Sequence, residues 1–286
     1  MTTDDEGFLS LPGDIIFEIF SLLDTRALKS CSLTCKGLSR SAKPFIHRTL
    51  DLIPRAGDST RSNVPNRWYN FEGLRVLGER GLLQYTRHLL AVFHRDPLFA
   101  HGLDPHIQHL HSLTNLRTLR TRWLDTPSSI PKVEEYFGAF SGSLKSLELA
   151  FPRGNHNQIL YFACQFPNLR DLKIDIIQDH TNPMYDDGPH FAIRASPPLD
   201  GTLDLQWEVV SGGGSMGADR ILSDLVALPS GLKFRTLKLS GFIGDDLQLL
   251  VNACAPTLEC MEFIGRRFRT SFPHGECLLF TVIHTI

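Results

Sequence analysis

The sequence predicts an α/β fold in which a short all-helical unit precedes an array of repeated strand–helix pairs. Two observations carry this. Helical periodicity fills the first fifty residues, and a Leu-x-x-Leu-x-Leu template recurs through the rest of the chain. Composition sets the bounds: 42% of the 286 residues are hydrophobic, and 29 Lys+Arg nearly balance 31 Asp+Glu, a net charge of -2. A sizeable core is therefore available, and no general electrostatic pull toward nucleic acid or an anionic membrane exists. The six cysteines form no C-x-x-C pair, no apolar run reaches the ~20 residues of a spanning helix, and the first residues are acidic where a secretory signal is basic. The expectation is a reducing compartment, cytoplasm or nucleus, with buried free thiols.

Taking the elements in order, apolar residues at 15, 16, 19, 20, 22 and 23 have helical spacing. Pro12 suits the first turn, where its missing N–H leaves nothing unpaired, and Asp14 complements the helix dipole. Asp24 reads as the N-cap of a second helix over 25–32, and a third helical segment after Cys35 is expected to close before Pro44. Three short helices make a poor core and leave apolar surface for a partner helix.

The string Leu11-Pro12, Ile15-Ile16, Ile19-Phe20, Leu23, Leu28, Ser32-Leu33, Cys35-Lys36 resembles an F-box, the helical motif that docks on the Skp-type adaptor of cullin-based ubiquitin ligases. The resemblance covers residues 8–50. One departure is Leu38, where the motif often carries an aromatic residue. By this resemblance the adaptor contacts would be Leu11, Pro12, Ile16, Phe20, Leu28 and Leu33.

A polar stretch, 54–68, reads as a loop inside a loop-rich linker, 51–84, that packs on the first repeats. The template then appears at Leu116-x-x-Leu119, Leu144-x-x-Leu147-x-Leu149, Leu169-x-x-Leu172-x-Ile174, Phe234-x-x-Leu237-x-Leu239 and Leu258-x-x-Met261-x-Phe263, with weaker copies at Leu90-x-Val92 and Leu203-x-Leu205. Copies recur at 24 to 34 residues and are similar to degenerate leucine-rich repeats. Helix-like segments lie between them at 105–113, 131–140, 158–166, 218–228 and 245–255. Stacked units of this kind give a solenoid over 85–286, with a parallel concave sheet and outer helices. Its last segment, 277–283, is apolar, so the array is either truncated there or folds back as a cap.

An F-box followed by such repeats resembles the substrate receptors of SCF-type ubiquitin ligases, especially those of fungi. The resemblance implies a non-catalytic subunit without cofactor or metal, tied through a Skp-type adaptor to a cullin and holding an unidentified protein target. An interaction module with no ligase role is the alternative.

Within each Leu-x-Leu the middle residue points away from the core. Those residues, Arg120, Glu148, Lys173, Asp204, Lys238 and Glu262, alternate in sign, so in-register strands would form a self-neutralising charge ladder on the concave face. Target contacts would then fall on the flanking column, Arg122, Asp175, Gln206, Ser240 and Ile264, with Trp123 and Trp207 beside it as candidate anchors.

Gly212-Gly213-Gly214-Ser215-Met216-Gly217 matches G-x-G-x-x-G between a strand-like and a helix-like run, the local context of a dinucleotide site. The next strand, Leu237-Lys238-Leu239-Ser240, lacks the acid that would bind a ribose, so an inter-repeat loop is the simpler reading, and an oxidoreductase is a remote alternative. His106, His109 and His111 lack a further ligand of zinc spacing and read as a polar helix surface. Asp186-Asp187-Gly188 reads as a turn, and Arg266, Arg267 and Arg269 as a solvated loop.

Overall fold

The computed structural model describes residues 10–52, 55–56, 67–68, 71–93, 107–123, 140–151, 156–178, 192–209, 218–240, 245–265 and 280–285. Three helices come first: α1 (Gly13–Leu22), α2 (Thr25–Ser32) and α3 (Lys36–Ile46). The Asp24 carboxylate accepts the Ala27 N–H at 2.7 Å and caps α2, and Cys35 Sγ takes the Leu38 N–H at 3.5 Å at the head of α3. α3 does not stop before Pro44, as the sequence suggested; it runs through to Ile46. Proline removes one intrahelical donor, but the ladder resumes at once, with the His47 N–H on the Lys43 carbonyl at 3.1 Å.

Phe20, Leu28 and Ala42 form the centre of this unit, flanked by Ile16, Ile19, Leu23, Leu38, Phe45 and Ile46. The Phe20 and Phe45 rings meet edge-to-face at 5.8 Å. α3 then leads directly into β1 (Thr49–Leu52), so the helical unit is joined to the sheet with two residues between them.

Beyond β1 come a small antiparallel ribbon of β2 (Arg55–Ala56) and β3 (Arg67–Trp68), helix α4 (Phe71–Glu79) and a 3-10 turn over Leu83–Tyr85. Leu74 and Leu83 are buried in the main core, so the latter part of the expected loop-rich linker is an integral helix and turn. Gly81 ends α4 in the left-handed region, φ 64°, and lets the Leu82 N–H reach back to the Leu77 carbonyl at 2.9 Å.

The remaining strands are β4 (His88–Phe93), β5 (Thr118–Trp123), β6 (Ser146–Phe151), β7 (Asp171–Gln178), β8 (Thr202–Val209), β9 (Thr236–Ser240), β10 (Cys260–Gly265) and β11 (Phe280–Thr285). The helices between them are α5 (Ile107–Leu110), α6 (His156–Cys164), α7 (Ala218–Val226) and α8 (Asp245–Cys254). The expected helix over 131–140 lies outside the described residues except for Phe140, which is buried.

One nine-stranded sheet holds β1 and then β4 to β11 in chain order. Its first eight strands are parallel, and β11 folds back antiparallel on β10. Register is continuous: Leu89, Leu119, Leu147, Leu172, Leu203, Leu237 and Met261 form one row, and Ala91, Thr121, Leu149, Ile174, Leu205, Leu239 and Phe263 the next inward row. Helix residues such as Ile159, Leu160, Ile221, Leu225 and Leu250 join these rows in a single core, which therefore lies between the helices and one face of the sheet.

One repeat copy is phased differently from the sequence reading. In β4 the inward pair is Leu89 and Ala91, both buried, and Leu90 pairs with Arg120 on the other face. Leu89-Leu90-Ala91-Val92 is apolar at every position, so alternation cannot fix its phase; the pairing with β5 does.

Candidate functional site

The helical unit buries only part of its apolar surface. Phe20 and Leu28, expected among the adaptor contacts, are 1% and 4% exposed and hold the three helices together. They are core residues rather than surface contacts: a unit this small needs its largest inward side chains for itself. Leu11 and Pro12 are exposed, Ile16 is half-buried, and Leu33 is 86% exposed. Ile15, Phe17 and Leu22, which the sequence reading did not single out as contacts, are exposed as well, Leu22 at 82%. Their signal was present. α1 carries more apolar positions than one helical face holds, and the surplus faces out. Phe17 also leans on Phe45, with ring centroids 4.9 Å apart.

The second candidate region is the open face of the sheet. Arg120, Glu148, Lys173, Asp204, Lys238 and Glu262 are register partners across six adjacent strands. Arg120 Nε stands 3.3 Å from Glu148 Oε1, and Lys173 Nζ 3.3 Å from the same oxygen and 3.9 Å from Asp204 Oδ2. Lys238 Nζ reaches Glu262 Oε2 at 3.2 Å. Among the described residues no ion pair closes the step from Asp204 to Lys238, so the row holds a linked group of four charges and a separate pair.

The flanking row contains Val92, Arg122, Ala150, Asp175, Gln206, Ser240 and Ile264 in register. Asp175 Oδ2 lies 3.8 Å from Lys173 Nζ, and its Oδ1 is buried with no hydrogen-bond donor among the described residues. Burial pushes this carboxyl up. Lys173 and Arg120 pull it down, and Glu148 and Asp204 add to the rise. Gln206 Nε2 donates to Asp204 Oδ1 at 3.3 Å, so it braces the charge row. The side chains of Arg122, Trp123, Trp207 and Ile264 lie outside the described residues.

Other sequence candidates resolve more simply. His109 packs against α4 at Gly78, where any Cβ would strike its ring. Among the described residues no cluster of three metal-ligating side chains occurs. Cys164 and Cys254 are desolvated, and burial pushes their thiols up to about 12 and about 11. The glycine run 212–217, His106, Asp186 to Gly188, the Arg266 cluster and Cys277 lie outside the described residues. Sequence reasoning also passed over the residue two positions before each inward leucine, although Arg or Lys at 48, 87, 117, 145 and 170 is visible there.

Compared with known families, residues 8–53 match the model of an F-box-like domain. This span holds α1, α2, α3 and β1. No curated protein matches the chain.

Proposed function

We propose that the protein is a non-catalytic substrate-recognition subunit of an SCF-type ubiquitin ligase, docking on a Skp-type adaptor through α1 and α2. The observation that carries this reading is an F-box-like unit that fully buries few of its apolar side chains and exposes several. Phe20 and Leu28 close its interior, and Leu11, Ile15, Phe17, Leu22 and Leu33 are left to solvent. Exposed apolar residues gathered on so small a unit suit a protein interface, with Leu22 and Leu33 as anchors and Leu11, Pro12 and Ile16 as further contacts.

In this reading, residues 8–50 are the docking motif, 51–84 pack on the first repeats, and 85–286 form a leucine-rich-repeat solenoid that holds a target protein. Parallel strands in chain order, each turning two alternate residues toward one core, support the solenoid. The cullin is reached through the adaptor, in cytoplasm or nucleus. The subunit contributes proximity: a target lysine held beside a ubiquitin thioester reacts in an effectively unimolecular step. Arg120, Glu148, Lys173, Asp204, Lys238 and Glu262 neutralise one another, and Arg122, Asp175 and Gln206 are candidate target contacts.

Co-expression with a Skp-type adaptor followed by size-exclusion chromatography tests the docking. Co-elution that is lost in a Leu11→Ala/Pro12→Ala variant is expected. Separate elution of the two folded proteins would leave an interaction module without a ligase role.

A further inference from the structure

Immediately before each parallel strand, or at its head, the chain carries in succession Arg48, Arg87, Arg117, Lys145, Arg170, Gly201, Arg235 and Glu259. Backbone hydrogen bonds link these positions across the sheet. The Arg87 N–H donates to the Arg48 carbonyl at 2.8 Å, Arg117 to Arg87 at 2.8 Å, Lys145 to Arg117 at 2.9 Å and Arg170 to Lys145 at 2.9 Å. Five cations therefore stand in one line at the ~4.8 Å strand spacing, about 19 Å from end to end.

Three positions further along β5, β6 and β7, the charge row alternates in sign and closes ion pairs. Here the sign does not alternate, in a chain of net charge -2, so the line is held against its own repulsion. Arg170 is answered by Asp200, Nε to Oδ1 at 2.9 Å and Nη2 to Oδ2 at 3.1 Å, and Arg87 Nη1 donates to the Asn115 carbonyl at 3.3 Å. Among the described residues no carboxylate pairs with Arg48, Arg117 or Lys145. The line stops at Gly201, where any side chain would collide with Asp171 Oδ1, which accepts the Thr202 N–H at 2.8 Å. Beyond it, Arg235 is paired with Glu259 at 3.3 Å.

Four of these cations, Arg87, Arg117, Lys145 and Arg170, line an open groove of about 610 Å³ together with Asn115, Asn168 and one carboxylate, Asp200, which is held by Arg170. The two asparagines hold it in shape. Asn115 Nδ2 donates to the Gln84 carbonyl at 2.9 Å and Asn168 Nδ2 to the Gly142 carbonyl at 2.7 Å, each tying one inter-strand turn to its neighbour. The positive field also reaches His88, held below its ordinary value first by burial and then by Arg48.

We propose that this line of cations is the docking track for an extended acidic segment of a partner protein. An extended chain advances ~3.3 Å per residue, so about six residues span the line, whereas a compact anion meets only two or three of its cations. The shape is that of a track, and the groove along it is preformed and polar. The proposal does not depend on adaptor docking, because it concerns the sheet alone.

The test is fluorescence anisotropy of the full chain with a labelled hexaglutamate peptide, against a hexalysine peptide of the same length. Saturable binding of hexaglutamate alone is expected, weakening steeply with salt and falling about ten-fold or more in Arg117→Glu/Lys145→Glu. A variant with the same charge change elsewhere, Lys36→Glu/Lys233→Glu, retains binding. If the first variant fails to fold, Arg117→Gln/Lys145→Gln carries the same prediction at reduced size. Absence of saturable binding, or equal loss in both charge-reversed variants, overturns the proposal. So does binding to phosphatidylserine-containing vesicles without binding to the peptide, which would assign the track to a membrane.

Discussion

Phe20 and Leu33 illustrate how differently two apolar residues of one small unit can act. Phe20 fills the space between α1 and α3, so Phe20→Ala should cost about 3–5 kcal/mol and lower the thermal midpoint of the helical unit, measured by circular dichroism. Two histidines near its junction with the sheet add a pH dependence. Burial first, and then neighbouring cations, hold His47 and His88 below the ordinary value of 6.5. Below that value the unfolded chain takes up protons that the folded chain does not, so stability is full above 6.5 and is lost as pH falls toward the folded values. A thermal midpoint that declines over this range, with a shallower decline in His47→Gln/His88→Gln, is the expected result; an unchanged slope would contradict the assignment. Sequence alone gave the helical spacing of α1 but not which of its apolar residues turn inward, because six candidates compete for a face that holds fewer.

At the scale of elements, the sheet's register was largely readable. The end of the template has period two, so where a charged residue follows its second leucine or the apolar equivalent, the inward and outward faces are assigned together. This is why Arg120, Glu148, Lys173, Asp204, Lys238 and Glu262 were already identifiable as one row, and why β4, apolar at four consecutive positions, was misphased by one. β1 was not foreseen as a sheet member although Leu50-Asp51-Leu52 carries the Leu-x-Leu pair, because His47 stands where the template has its first leucine. Lys173 is the hinge of the row, with Glu148, Asp175 and Asp204 within 4 Å. Lys173→Met would leave three carboxylates facing one another on a partly exposed surface. A loss of about 1 kcal/mol at neutral pH is expected, shrinking in acid as Asp175, held above the usual carboxylate range by burial, protonates. Equal loss at both pH values, in urea titrations, would mean that packing of the lysine stem rather than its charge is what matters.

The molecule as a whole presents two units with different surfaces. The helical unit exposes apolar side chains, and the sheet exposes charge, neutralised in one row and only partly compensated in another. The second row escaped the sequence reading because its members, Arg117, Lys145 and Arg170 among them, precede the strands, where no period-two alternation assigns a face. The central claim is that the apolar surface of α1 and α2 is an adaptor-docking face separable from the fold. The most direct measurement is the affinity for a Skp-type adaptor, by calorimetry, of the native chain and of Leu33→Glu, with thermal melts of both. The account predicts binding by the native chain, loss of at least about a hundred-fold in the variant, and coincident melts, since Leu33 is 86% exposed. Undiminished binding by a normally folded Leu33→Glu would contradict it.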